Sequence, residues 1–295
     1  MNNLDPIRTV LLATDLSEKS HTAAEYAFAM AAACKARLIL AHALDPSNQS
    51  GLTESSASEL RELSRAAQAE LLHLSRSLLA PHGIESQIIV RYGNPRDVIF
   101  QLQRELSPDL VVLGSGGKTG GPRSRLGSVA EALLRSLPCR VLTLGPHVCQ
   151  PAFPERHRAI LLPTDFSPHA LAAIPVVRTF VQQFPARILL FHVCLLDGRH
   201  ILPRQEELCL HRLTDLANSL SSQSISAESV LHTSLQNNIA DQICAIAEKE
   251  KVDLILMGVR SGNLESGERL HGTVADVIRQ SHCPVLTIAE PSHPS

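Results

Sequence analysis

Tryptophan is absent from this chain of 295 residues, and aromatic residues of all kinds make up only 3% of it. Proteins that stack bases of RNA or single-stranded DNA need such rings, so the composition argues against that class of partner. An excess of either charge is also lacking: 27 basic and 29 acidic residues give a formal net charge of −2, with no steering field for nucleic acid. No apolar run approaches the roughly 20 residues of a membrane span, so no membrane association is expected. The opening MNNLDPIRTVLLATD lacks the basic-then-apolar layout of a secretory leader, which gives a cytoplasmic expectation. Cysteine is present, but its seven copies are odd in number and include no CxxC pair, against a disulfide framework or a zinc site. We read them as reduced thiols serving as small core residues.

What the chain does contain is a copy of itself. TVLLATDLS (Thr9 to Ser17) returns as AILLPTDFS (Ala159 to Ser167), and ARLILAHA (Ala36 to Ala43) as ARILLFHV (Ala186 to Val193). PDLVVLG (Pro108 to Gly114) answers to VDLILMG (Val252 to Gly258), and GSVAEALLRSLPCRVLTLG (Gly127 to Gly145) to GTVADVIRQSHCPVLTIA (Gly272 to Ala289). Self-similarity on this scale marks tandem domains. They are expected at residues 1–146 and 158–295, joined by a linker at 147–157 within a proline-bearing stretch of mixed polarity.

Each copy alternates strand and helix patterns. VLLAT and RLILAHAL are apolar without alternation, as strands covered on both faces should be. HTAAEYAFAMAAACKA is alanine-rich and reads as a thin helix, while Leu60, Leu63, Leu71, Leu74 and Leu78 give a second helix one apolar stripe. SQIIVRY is the third strand. GNPRDVIFQLQREL opens a helix with Asn94 as cap and Pro95 in its first turn. DLVVLG, SVAEALLRSL and RVLTLG supply the fourth strand, the last helix and the fifth strand. The fold class that follows is α/β: two tandem domains, each an open five-stranded parallel sheet with helices on both faces, Rossmann-like in kind.

Such sheets bind ligands beyond the carboxyl ends of their strands. That edge carries Thr14 and Asp15 after strand one, the His42-Ala43-Leu44 stretch after strand two, and VVLGSGGKTGGPRSRLGS after strand four. The glycine stretch contains Gly-Lys-Thr yet is no P-loop, since five positions before Gly117 stands Val112, and glycines and a proline follow Lys118. A dinucleotide fingerprint fails as well, with Thr119 in the third glycine position. Ser128 and Glu131 form a capping-box pattern, repeated by Thr273 and Asp276, so a helix with free amides should begin there. Lys118, Arg123 and Arg125 add positive charge without an acid. His42 and His192 are matched and read as packed strand residues rather than metal ligands.

Gly114, two residues, Gly117, nine residues, then Gly127-Ser128 resembles the ATP-binding pattern of the universal stress protein family. Thr14-Asp15, AHA and SVAEALLRSLPCRVL resemble it too, and the likeness runs over essentially the whole chain. The resemblance implies ATP as ligand, with Mg2+ where a metal accompanies the triphosphate. It assigns Thr14, Asp15 and Ala43 to the nucleoside side, and Gly114, Gly117, Gly127, Ser128 and Val129 to the phosphates. Arg123 is a further phosphate contact suggested by charge and position. In the second copy the matching positions are Thr164, Asp165, Val193, Gly258, Gly262, Gly272 and Thr273. Gly258 is followed by Val259 and Arg260 there, and Arg260 and Arg269 are balanced by Glu265 and Glu268. The first copy is therefore expected to be the better site, the second weak or vacant. Family members pair through the last strand, which implies a pseudo-dimer within the chain and leaves a homodimer open. No acid beyond Asp15 and Asp165 stands out at the ligand edge, so a nucleotide-responsive binding protein of stress response is preferred. A weak ATP hydrolase, another adenine-nucleotide enzyme of similar fold, and a ligand-free interaction protein stay open as alternatives.

Overall fold

The computed structural model describes residues 6–45, 57–79, 84–116, 126–149, 159–195, 203–222, 224–235, 238–259 and 272–289. The first half runs β1 (Thr9–Ala13), α1 (His21–Cys34), β2 (Arg37–Leu44), α2 (Ala57–Leu79), β3 (Ser86–Tyr92), α3 (Pro95–Leu106), β4 (Leu110–Gly114), α4 (Ser128–Ser136) and β5 (Arg140–Leu144). The second runs β6 (Ala159–Pro163), α5 (Pro168–Leu171), α6 (Ala173–Gln183), β7 (Arg187–Leu195), α7 (Pro203–Ser221), β8 (Ala227–Ser234), α8 (Ile239–Lys249), β9 (Leu254–Val259), α9 (Thr273–Gln280) and β10 (Val285–Ala289). In the first half a 3-10 turn (Glu18–Ser20) leads directly into α1; in the second the matching stretch is split into α5 and α6. Pro175 lacks the N–H that would bond to Leu171, and its ring crowds that carbonyl, so the chain breaks at Ala172.

The strands form one sheet in the order β3-β2-β1-β4-β5-β10-β9-β6-β7-β8. Pairing is parallel within each half and antiparallel where β5 meets β10. The expected pairing of last strands is thus realised inside one chain. Thr287 closes the junction by donating its hydroxyl to the Val141 carbonyl at 3.2 Å. Side chains alternate across the sheet. Val10, Leu12, Leu38 and Leu40 face the layer containing α1, α2, α6 and α7. Leu11, Ile39 and Val111 face α3, α4 and α8 on the other side. Burial of both faces explains why the strand sequences show no polar alternation. Gly145 lies so close to α9 that a Cβ there would stand 2.1 Å from the Ile278 carbonyl oxygen, so the two halves touch backbone to side-chain-free backbone.

Matched acids fix the starts of the strands. Asp109 accepts the amides of Arg8 and Thr9 at 2.8 and 2.9 Å, and Asp253 accepts that of Ala159 at 3.2 Å. In both halves the first strand lies between the second and the fourth. Crossovers diverge at that point, so a crevice opens beyond the ends of β1 and β4.

Candidate functional site

A cavity of about 600 Å³ occupies this crevice in the first half. Thr14 and Asp15 border it from the end of β1, Ala43 from β2, and Gly114, Ser115 and Gly116 from β4. Gly127, Ser128 and Val129 border it from the start of α4. The sequence-expected residues of the first copy that the structure describes therefore converge on one space. Gly117 and Arg123, with Lys118 and Arg125, lie outside the described residues. Apolar wall comes from Ala13, Leu113, Leu63, Ala67 and Ile99. The lining is thus mostly apolar with a few convergent polar groups, the usual build of a small-molecule site.

Local bonds shape this edge. The Thr14 hydroxyl donates to Ser20 Oγ at 2.9 Å and accepts the Leu16 amide at 3.1 Å. Asp15 Oδ1 accepts the amide and hydroxyl of Ser17 at 3.0 and 2.6 Å, an Asx turn that orients the carboxylate. Leu16 is held in the left-handed region, φ 59°, by this turn. His42 donates Nδ1–H to the Thr14 carbonyl at 2.8 Å, clamping the end of β1 to β2. His192 makes the same bond to Thr164 at 2.7 Å, so both histidines act as the strand residues they resemble in sequence.

At the other wall, the Gly127 amide donates to the Ser115 carbonyl at 2.8 Å, drawing together the two ends of the glycine-rich connection. That amide is consequently engaged by the protein. The unbonded amides of a helix start fall on the next residues, beginning with Ser128 and Val129. Here the capping-box expectation fails. Gly127, in an extended conformation, holds the cap position and Ser128 is the first helical residue, with no side-chain cap. Glu131 instead lies 3.8 Å from Arg135 one turn on. Asp276 likewise pairs with Arg279 rather than completing a box with Thr273. The Asn94 cap and first-turn Pro95 of α3 are present as expected, with Asn94 Oδ1 accepting the Arg96 amide at 3.0 Å.

The second half keeps the scaffold and changes the lining. Asp165 accepts the Ser167 amide at 2.9 Å, as Asp15 does that of Ser17. Burial works against its charge, yet the Ser167 hydroxyl and amide outweigh this and hold the carboxyl below its ordinary 3.8. Neither aspartate is the cap of its helix; Ser167 caps α5 by accepting the Ala170 amide at 3.2 Å. With the fully buried Leu71 and Leu213 set in register, the cavity-lining Leu16, His42 and Glu70 correspond to Phe166, His192 and Arg212. Those three stack. The Phe166 and His192 rings lie 4.6 Å apart, and the Arg212 guanidinium carbon is 4.2 Å from the Phe166 ring centre. Gly258 also has a different surrounding from Gly114. A Cβ on Gly258 would stand 1.9 Å from the His169 carbonyl oxygen, whereas the nearest approach of one on Gly114, among the described residues, is 3.8 Å to the Gly116 carbonyl oxygen. The glycine of β9 therefore has a packing reason, the approach of α5. Gly272 has a backbone reason, its φ of 125° with ψ of −176°. Thr164 and Val193 sit at the ends of β6 and β7, and Thr273 begins α9. Gly262, Arg260, Glu265, Glu268 and Arg269 lie outside the described residues.

The profile of the universal stress protein family matches residues 6–144 and 157–289. This chain belongs to the universal stress protein family. A universal stress protein of Methanocaldococcus jannaschii is 30% identical over 138 residues, 46% of this chain and 81% of that one. A Staphylococcus aureus relative is 26% identical over 163 residues, 55% of this chain and 90% of its own. In three dimensions, the crystal structure of a universal stress protein from Archaeoglobus fulgidus matches 95% of this chain and 98% of its own. Its TM-score is 0.74 at 21% identity, which speaks for the fold of both halves.

Sequence reasoning missed several members of the lining. Asp45 and Glu70 add carboxylates to the cavity edge, where only Asp15 was expected in this half. Glu70 belongs to the polar side of α2, beside its leucine stripe. It is indeed exposed, but helical spacing alone does not reveal that this stretch of α2 borders the crevice. Ser115 and Gly116 follow β4 directly, and their position after Gly114 was the available signal.

Proposed function

We propose that this universal stress protein binds ATP in the first-half crevice and acts as a nucleotide-responsive binding protein. The reading rests above all on the convergence of Asp15, Ala43, Gly114, Ser128 and Val129 on one cavity of about 600 Å³. That volume lies within the range of small-molecule sites, roughly 300–1,000 Å³. The residues suit the ligand chemically. The apolar wall and the Ala43 backbone would take the base, the Asp15 carboxylate would accept from the ribose hydroxyls, and the amides at the start of α4 would meet the phosphates. Because Gly114 and Gly116 carry no side chain, a ligand would approach their backbone closely. Asp45 and Glu70 would repel a triphosphate, and Mg2+ bound with it would offset that charge. ATP binding favours whichever loop arrangement it contacts best, and so alters the surface offered to a partner.

Isothermal titration of the whole chain with ATP, in magnesium and in EDTA, tests the reading. Saturable binding weakened at least about tenfold by Asp15→Ala supports it, the equivalent of roughly 1.4 kcal/mol. Absence of heat and of nucleotide protection in both buffers contradicts it. The two added carboxylates favour one second reading, slow magnesium-assisted hydrolysis, because acids at a triphosphate site are the usual metal ligands. Chromatography of ATP incubated with the chain separates the two: ADP appearing in proportion to protein, and lost in Glu70→Gln, establishes turnover.

A further inference from the structure

Two thiols meet across the β7–α7 interface of the second half. Ile188 and Leu190 of β7 pack into the same cluster as Leu213, Ala217 and Leu220 of α7. Cys194 continues the alternation of β7 on that face, and Cys209 lies one helical turn before Leu213 on the same stripe. Cys194 is buried and Cys209 half-buried, both are free thiols, and Cys209 lies close enough to Cys194 to act on its thiol. Burial, and then the neighbouring Cys209 and Glu206, raises the Cys194 thiol above its ordinary pKa of 9.0. A second pair of neighbouring thiols, the half-buried Cys244 and the buried Cys283, is engaged by other groups. Cys283 shares its hydrogen bonds with Ser281 at 3.3 Å, and Cys244 approaches the Val277 carbonyl at 4.0 Å.

We propose that Cys194 and Cys209 form a peroxide-oxidisable dithiol, a modification site whose disulfide fastens α7 to the end of β7. The chemistry balances with hydrogen peroxide as the oxidant. The more accessible Cys209, as thiolate, attacks one peroxide oxygen; the O–O bond breaks, Cys209 becomes a sulfenic acid and hydroxide leaves. Hydroxide takes up the proton that Cys209 released. Cys194 sulfur then attacks the Cys209 sulfenic sulfur, the S–O bond breaks, and the Cys194 proton departs with the oxygen as water. One peroxide and two thiols give one disulfide and two waters. Counted from His42 and His192, and from Leu71 and Leu213, the pair occupies the positions of Leu44 and Ala67, both in the lining of the first-half cavity. Oxidation therefore acts on the wall of the second crevice, and the inference stands whether or not the first crevice takes ATP.

The test treats the whole wild-type chain with hydrogen peroxide, alkylates the remaining thiols, and maps the peptides without reduction. The expected result is one linked peptide containing Cys194 and Cys209, lighter by two hydrogens and split by dithiothreitol. Alkylation of the two cysteines should be lost in parallel. Oxidation should also raise the melting temperature of the wild type and leave that of Cys209→Ser unchanged. Full alkylation of both residues, at a peroxide dose that oxidises the exposed Cys149, overturns the proposal. So does a Cys209 found as sulfinic acid or linked to another chain.

Discussion

Strand for strand the two halves are the same, yet the residues at the end of β1 border an open cavity while their counterparts at β6 contact one another through rings and a guanidinium. Leu16, His42 and Glu70 border the cavity of the first half; Phe166, His192 and Arg212 take the corresponding positions in the second, with tilted rings and the guanidinium over the Phe166 ring. The backbone turn that presents them is shared, since Leu16 and Phe166 have φ angles of 59° and 60°. What differs is the side chain placed on that turn and the helix packed behind it. A duplicated scaffold can thus keep its edge geometry while changing the contacts made there, and a glycine retained in both copies can have different surroundings.

The glycines offer the largest contrast to break. Gly258→Ala should cost about 3 kcal/mol of stability, because its Cβ meets the His169 carbonyl backbone and α5 must move. Gly114→Ala should change stability by no more than about 0.5 kcal/mol, while weakening ATP about tenfold by keeping a ligand off the backbone. Urea unfolding and ATP titration of both variants check this, and equal stability losses would end the contrast. Next in size is the Phe166–Arg212 contact. Arg212→Ala should lower stability by about 0.5–1 kcal/mol through loss of the cation–ring contact, with Glu70→Ala near neutral in the same denaturant experiment. The smallest effect concerns acid. The Asp165 carboxyl is held below 3.8 in the folded protein, so its stabilising contribution is full above 3.8 and is lost as pH falls through the lower folded value. Asp165→Asn should flatten that part of a pH–stability curve slightly, measured by thermal melting.

Much of this contrast could be read before any coordinates. Internal repetition and unbroken apolar strands were enough for the paired sheets, because burial on both faces leaves a direct mark on composition. Part of the first-half cavity lining was legible because Asp15, Ala43 and Gly114 lie at or next to the carboxyl ends of β1, β2 and β4, where topology brings them together. Ser128 misled because a Ser-x-x-Glu pattern does not reveal which residue leaves the helical conformation; Gly127 does so, and Glu131 turns to Arg135 instead. The packing role of Gly258 was hidden because it depends on α5, which belongs to a distant part of the sequence. Glu70 and the Cys194–Cys209 contact were hidden for the same reason: each relation joins a helix to a strand end, and no local spacing encodes it.

A crystal of the whole chain grown with excess ATP and magnesium tests the central claim most directly. The expected result is a nucleotide in the first-half cavity, its phosphates against the amides of Ser128 and Val129, with Phe166 and Arg212 still stacked in the second half. A vacant first cavity, or a nucleotide seated only in the second crevice, contradicts it.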